Sequence, residues 1–304
     1  MSQRDVKNRI SSIQNIGKIT RAMEMVSAAR LRRAEERIAR LRPYADAIRR
    51  MTRQAAEAAG AELGSLPILK QHERSDRVAI MLVTSDRGLA GAFNSQIIRA
   101  GLRAAAEHEA EGRTVTFFAS GRRGVSSLVF RGREVAGSYV GFTDRPVYGD
   151  ARTIADALMA AYVDDVVDRV EVFYNGYVSA LTQEVRRETL LPLQEATILG
   201  DEDGGEAPED DGEAHGTQRA LVEYEPEPVE ILRRLVPDYV EISIFRGLLE
   251  STASEHGARM TAMRSASDNA SEIIEDLTLE MNRARQAEIT QEIMEVVAGA
   301  ESLT

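Results

Sequence analysis

Between Arg77 and Ser85 the chain reads RVAIMLVTS, and that run decides how its surroundings are read. Apolar side chains would stand on both faces of the extended segment, which suits a parallel strand covered on both sides. TSDRGLAGAFN (Thr84–Asn94) follows as a Gly-rich turn opening a helix predicted to end near Gly112, with Ser85 or Asp86 expected as N-cap. TVTFFASG (Thr114–Gly121) predicts a second strand, RRGVSSLVFRG a short helix, and EVAGSYVGF (Glu134–Phe142) a third strand. A helix from Asp150 to Val167, a strand in RVEVFYNGYV (Arg169–Val178) and an antiparallel edge in TQEVRRETLLPL complete the pattern. Strands alternating with helices predict a small Rossmann-like α/β domain over residues 76–195.

On either side of this window the period changes. Residues 1–59 contain one Pro (Pro43) and one Gly (Gly17). Their apolar positions run Val6, Ile10, Ile13, Ile16, Ile19, Met23, Val26, Leu31, Ala34, Ile38, Leu41 and Ile48. Steps of three and four with occasional slips predict a long helix with a narrow seam, roughly 80 Å of rod that Pro43 is expected to kink or divide. Residues 220–304 show the same spacing through Ile242, Phe245, Leu249, His256, Met260, Met263, Ala270, Ile274, Leu277, Met281 and Ala284. A solitary helix this long is marginal in water. The fold expected is therefore α/β, with a long antiparallel two-helix coiled coil made by the two ends and the small domain inserted between them. Residues 60–75 read as a linker, and 196–219 as an acidic disordered loop with eight acids and no Lys or Arg between Asp201 and Glu213.

Composition bounds the function. The chain has 304 residues, no Cys, no Trp and a net charge of −11. Zero Cys removes disulfides, thiolate metal sites and thiol switches. No run of about 20 apolar residues offers a membrane span, and MSQRDVKNRI lacks the apolar core of a signal peptide, so a cytoplasmic protein is expected. Charge is uneven: residues 1–59 carry 14 Lys and Arg against 6 Asp and Glu, whereas 219–304 carry 8 against 17. The two end helices are thus expected to be electrostatic partners. Glu is mixed with Arg in RLRRAEERIARLR, which disfavours nucleic acid.

Candidate chemistry is sparse. The turn SDRGLAG could hold a phosphate on free backbone amides, but it matches neither GxxxxGK[ST] nor GxGxxG, and a plain tight turn is the simpler reading. Of the four histidines, His72 falls in the linker, His108 at a polar helix end, His215 in the acidic loop and His256 on the helix seam; none has metal-ligand spacing. No catalytic, cofactor or metal residue is expected. The final stretch ITQEIMEVVAGAESLT poses a different problem, because Ile293, Met294, Val296, Val297, Ala298 and Ala300 make a helix apolar nearly all round, and such a helix needs enclosure.

Four stretches carry a resemblance: IGKITRAMEMVSAARLRRAE (Ile16–Glu35), TSDRGLAGAFN, ASEHGARMTAMRSASDNASEII (Ala253–Ile274) and RARQAEITQEIMEVVAGA (Arg283–Ala300). Together they resemble the gamma subunit family of F-type ATP synthases, the central rotor shaft of the catalytic head. The acidic loop departs from the family pattern. The resemblance implies a non-catalytic subunit, without cofactors, that transmits torque between a proton-driven c-ring and a hexamer of three alpha and three beta subunits. It implies a bearing tip at Ile293, Met294, Val296, Val297 and Ala300, and beta-subunit contacts at Met23, Arg259, Gln286 and Thr290. It also implies c-ring contact by Val222, Tyr224 and Glu225 in LVEYEPEP, an epsilon subunit on the flank of the α/β domain, and a peripheral place on the cytoplasmic face of a bacterial plasma membrane. Missing Cys argues against a thiol-regulated chloroplast type, and the lack of a transit peptide against a mitochondrial precursor. Two other readings stay open: a static coiled-coil scaffold, and an α/β enzyme holding a phosphorylated ligand at SDRGLAG.

Overall fold

The computed structural model describes residues 3–60, 66–70, 72, 74–193 and 227–301, with side chains left out at 3, 295 and 297–301. Helix α1 (Gln3–Ala59) leads into strand β1 (Arg77–Val83), α2 (Phe93–Ala110), β2 (Thr114–Ser120), α3 (Arg122–Phe130) and β3 (Val135–Tyr139). Then follow α4 (Tyr148–Val163), β4 (Arg169–Tyr177), β5 (Gln183–Leu191) and the long α5 (Pro228–Glu301). The sheet order is β3-β2-β1-β4-β5, parallel except for β5, which pairs antiparallel with β4 at the edge.

β1 is central, and the sequence shows why. Val78, Ile80 and Leu82 point to one face, against Ile97, Ala104 and Ala105 of α2 and Leu128 of α3. Ala79, Met81 and Val83 point to the other, against Ile154, Ala155 and Leu158 of α4 and the lower part of α5. With both faces covered, an apolar residue is needed at every position. Leu232, Val236, Val240, Ile244 and Leu248 of α5 belong to that second core, so the helix that forms the rod also forms a wall of the domain.

The two end helices run antiparallel, as partners along the rod show. Ile48 packs with Leu235 and Ile242, Leu31 and Ala34 with Ala253, and Thr20 Oγ1 shares a 2.7 Å hydrogen bond with Ser267 Oγ. The seam differs from the predicted one in its middle. Steps of four and three without a slip pass through Val6, Ile10, Ile13, Gly17, Thr20, Glu24, Ser27, Leu31, Ala34, Ile38, Leu41, Ala45 and Ile48, all buried or half-buried. Ile16, Ile19 and Val26, expected in the seam, lie exposed on the outer face. The apparent slips came from following hydrophobicity where the true seam uses small and polar residues, which let the helices approach closely. Opposite them stand Ala253, Met263, Ser267, Ala270 and Leu277, again buried.

Two further expectations are corrected. α1 passes through Pro43 without ending; the ring is exposed there, so water can serve the carbonyl left without a backbone donor. One ion pair along the rod runs against the net charges of the two helices: Glu24 of α1 pairs with Arg264 of α5 at 2.9 Å. Arg30 and Arg37 of α1 turn instead to Asp144 and to the Pro146 carbonyl. His108 is buried rather than solvated, with Nε2 3.3 Å from Glu171, a fully buried carboxylate on β4 that Arg187 and Arg169 also engage. Burial would raise Glu171, but Arg187 and its neighbours hold it below the ordinary carboxylate range. His72, in the linker, stacks on Tyr162 and meets Asp168 at 3.1 Å, beside Arg77.

Candidate functional site

The Gly-rich turn after β1 is the place where a phosphate site was conceivable, and its geometry argues otherwise. Ser85 Oγ donates to the Arg87 carbonyl at 2.6 Å, and Asn94 Oδ1 accepts from the Ser85 amide at 2.9 Å. The carboxylate of Asp86 accepts from the amides of Arg122, Gly141 and Thr143 and from the Thr143 hydroxyl, at 2.8–3.3 Å. One of those amides belongs to the first residue of α3, so the available anion cradle is filled by the chain's own side chain. Neither Ser85 nor Asp86 caps α2, contrary to expectation. That helix begins only at Phe93, after Ala92, because the Gly88–Ala92 turn intervenes. Gly121 has φ +82°, and a Cβ there would lie 2.3 Å from the Thr84 carbonyl oxygen, so β2 can pass this close to β1 only as glycine.

Beneath the turn α5 brings three ionisable side chains into the interior. Arg259 is buried; it pairs with Glu255 and donates to the Gly88 carbonyl at 3.2 Å. Its Nη1 lies 3.4 Å from Nδ1 of His256, whose Nε2 is 3.7 Å from Asp144. Burial raises the Glu255 carboxyl to about 7, against the pull of Arg259, with Asp144 and Asp86 adding repulsion. Burial also lowers His256 to about 4, which leaves its ring neutral near pH 7. Arg259 therefore fastens the shaft helix to the Gly88–Leu89 turn. Leu89 stands on that turn with φ +62° and an exposed side chain.

Met23 lies one residue off the seam. With Ile19, Ala22, Val26 and Leu89 it lines a cavity of about 430 Å³, bounded by Arg30, Arg87 and Arg259. The exposed Ile16, Ile19, Met25 and Val26 continue this apolar surface along α1. Only the periodicity, followed strictly through Gly17, Thr20 and Ser27, separates this outer stripe from the seam in the sequence.

The far end of α5 is bare. α1 is described from Gln3, whose level on the rod lies near Met281 and Ala284, so α5 continues to Glu301 with no other helix beside it among the described residues. Gln286 and Thr290 are exposed and one turn apart, Thr290 Oγ1 donating to the Gln286 carbonyl at 2.8 Å. Ile293, Met294 and Val296 are 58, 65 and 73% exposed. Val297 and Ala300 lie on the same helix, though their side chains fall outside the described residues, as do Val222, Tyr224, Glu225 and the acidic stretch 201–216 in full.

Two long helices packed antiparallel, a five-stranded domain on their flank and an exposed helical tip have the form of a stalk. Residues 2–303 match the ATP-synt family model, described as ATP synthase. The chain is 43% identical to the ATP synthase gamma chain of Rubrobacter xylanophilus, covering 99% of this chain and 98% of the relative. It is 41% identical to that of Streptomyces avermitilis, over 98% and 94%. Among solved structures, the Tetrahymena thermophila mitochondrial ATP synthase central stalk and c-ring aligns with TM-score 0.57 at 26% identity, over 82% of this chain and 99% of that one. A chain of the Euglena gracilis mitochondrial ATP synthase shares the fold, with TM-score 0.65 at 16% identity over 99% and 94%. This chain belongs to the ATP synthase gamma-chain family. It is accordingly the central-stalk rotor component, a non-catalytic subunit attached peripherally to the membrane through its complex.

Proposed function

We propose that the bare tip is a bearing, turning inside a sleeve of three alpha and three beta subunits while the rest of the rod transmits torque from a c-ring. The observation that supports this is α5 running on past the start of α1 with Ile293, Met294 and Val296 uncovered. An all-round apolar helix needs cover from every side. Uniform greasy contact also lets a shaft turn, since no single contact has to be held. Torque requires asymmetry instead, and the off-axis groove at Met23 and Leu89 supplies a one-sided surface for the beta subunits, with Gln286 and Thr290 as polar contacts higher up. Beta sites facing different sides of the shaft then differ in nucleotide affinity, a mechanical bias among conformations. Arg259 serves this surface from inside, through its bond to Gly88. Val222, Tyr224 and Glu225 are proposed for the c-ring, the flank of the α/β domain for epsilon, and the cytoplasmic face of a bacterial plasma membrane as the site of action.

Co-expression with the host's alpha and beta subunits tests the reading. The full chain is expected to enter an alpha–beta hexamer in one copy and to support ATPase activity. Truncation after Gln291 is expected to weaken retention in the hexamer while leaving the α/β domain folded. Elution of the full chain apart from both subunits would favour the static scaffold.

A further inference from the structure

A second cavity, of about 470 Å³, opens between α1 and the turn leading from β3 to α4. Arg30, Arg33, Arg37 and Arg40 line it from one side. Their spacing of three, four and three places them on one stripe of α1, about 15 Å long. Arg145 lines it too, with Ala34, Thr252, His256 and two acids, Glu36 and Asp144.

The charge in this cavity is not balanced by its own acids. Asp144 is engaged by Arg30, and Glu36 reaches Arg40 only at 3.9 Å, on the exposed surface. Arg37 donates to the Pro146 carbonyl. Burial and the nearby Arg145 both lower its pKa, as expected where like charges are crowded. Thr252 spends its hydroxyl on the carbonyls of Thr143 and Leu248, at 3.0 and 2.8 Å. Among the described residues the Arg33 and Arg145 side chains have no protein partner, and both line the cavity.

We propose that this arginine-walled cavity binds a condensed phosphate, the di- or triphosphate group of a nucleotide or of an inorganic polyphosphate. A guanidinium presents paired donors that match phosphate oxygens. Several of them spread along 15 Å suit a chain of phosphates, where a single orthophosphate would meet only one or two. The volume falls within the range of small-molecule sites, about 300–1,000 Å³. Asp86, which fills the Gly-rich turn's own amide cradle, is not among the residues lining this cavity. The site would let the shaft sense a phosphorylated metabolite without taking part in the chemistry of nucleotides elsewhere in the complex, and it does not depend on the bearing reading.

Calorimetric titration of sodium tripolyphosphate into the full chain tests this. One site per chain is expected, at least tenfold tighter than for orthophosphate. The double variant Arg33→Ala/Arg145→Ala should weaken it tenfold or more; both side chains are exposed and unpaired, so the fold should be kept. Arg99→Ala/Arg103→Ala, which removes equal charge from the outer face of α2, should leave it unchanged. A parallel titration with ATP separates the sources: displacement of tripolyphosphate assigns a nucleotide, and its failure an inorganic chain. No binding of either, an equal loss in the α2 variant, or tighter binding of an oligoglutamate peptide would each overturn the proposal.

Discussion

Around Leu248, α5 is enclosed by α4, the sheet and α1; around Ile293 the same helix has no neighbour among the described residues. Both stretches are rich in large apolar residues. Apolarity states a need for cover without stating what supplies it. For the lower stretch the chain answers itself, since β1, β4 and α4 present matching faces. For the tip no described residue of the chain supplies it, and the proposed bearing assigns that cover to the surrounding subunits. Leu248→Ala and Ile293→Ala in the free chain should separate the two stretches most widely. Leu248 is 2% exposed, and its truncation is expected to cost about 2–5 kcal/mol in chemical denaturation. Ile293→Ala should stay within about 0.5 kcal/mol of the parent. A large loss at Ile293 would mean that the tip is already covered, by a second copy or by folding back.

Between the enclosed and the bare stretch lies a junction where α5 buries charge as well as carbon. Glu255 is raised from 4.5 to about 7 by burial, against the pull of Arg259 and with repulsion from Asp144 and Asp86; His256 beside it faces Asp144, Arg259 and Arg30. Between those values the folded chain holds a proton that the unfolded chain has lost. Its contribution to stability is thus complete below about pH 4.5 and declines as pH rises to about 7. His256, lowered from 6.5 to about 4, works in the opposite sense, adding stability as pH rises through that interval. The two trends offset each other in the parent, so Glu255→Gln is needed to separate them. From pH 5 to pH 8 the variant's unfolding free energy should move in its favour relative to the parent by about 1–3 kcal/mol. Urea denaturation at both pH values measures this. A constant difference would mean that Glu255 titrates like an exposed carboxylate.

Much of the architecture was legible because its physics is local or periodic. The run Val78–Val83 demanded cover on two faces, and the long three–four spacing demanded a partner helix. Both demands are met. What escaped the sequence was whatever depends on contacts between distant residues. Glu171 reads as one more strand residue, and only the fold brings His108, Arg169 and Arg187 around it. The same holds for Arg259, which in sequence is a polar residue on a helix and in the fold becomes the fastener of the Gly88 turn. Met23, Gln286 and Thr290 stood out by resemblance alone; no local rule distinguishes them. The seam between Gly17 and Ser27 was missed for a different reason. There, close approach of the helices matters more than hydrophobicity, and small or hydroxylated residues satisfy it.

That last point makes the finest comparison, between the apolar seam at Leu31 and the polar seam at Thr20. Thr20 Oγ1 has two partners, the Gly17 carbonyl at 3.0 Å and Ser267 Oγ at 2.7 Å, whereas the Ser267 hydroxyl has Thr20 alone. Removing Ser267 leaves Thr20 satisfied; removing Thr20 strands a buried hydroxyl, which costs more. Thr20→Ala is therefore expected to destabilise more than Ser267→Ala. The double variant should cost less than the two summed, with a coupling of about 0.5–1.5 kcal/mol. Thermal unfolding of the four chains completes the cycle. Leucine at both positions should be worse than alanine at both, because Gly17 and Ala270 one step along leave room for little more than a methyl group. If leucine were instead tolerated, the helices would not be held this close, and the exposure of Ile16, Ile19 and Val26 would lose its physical reason, since nothing would then keep the larger residues out of the seam.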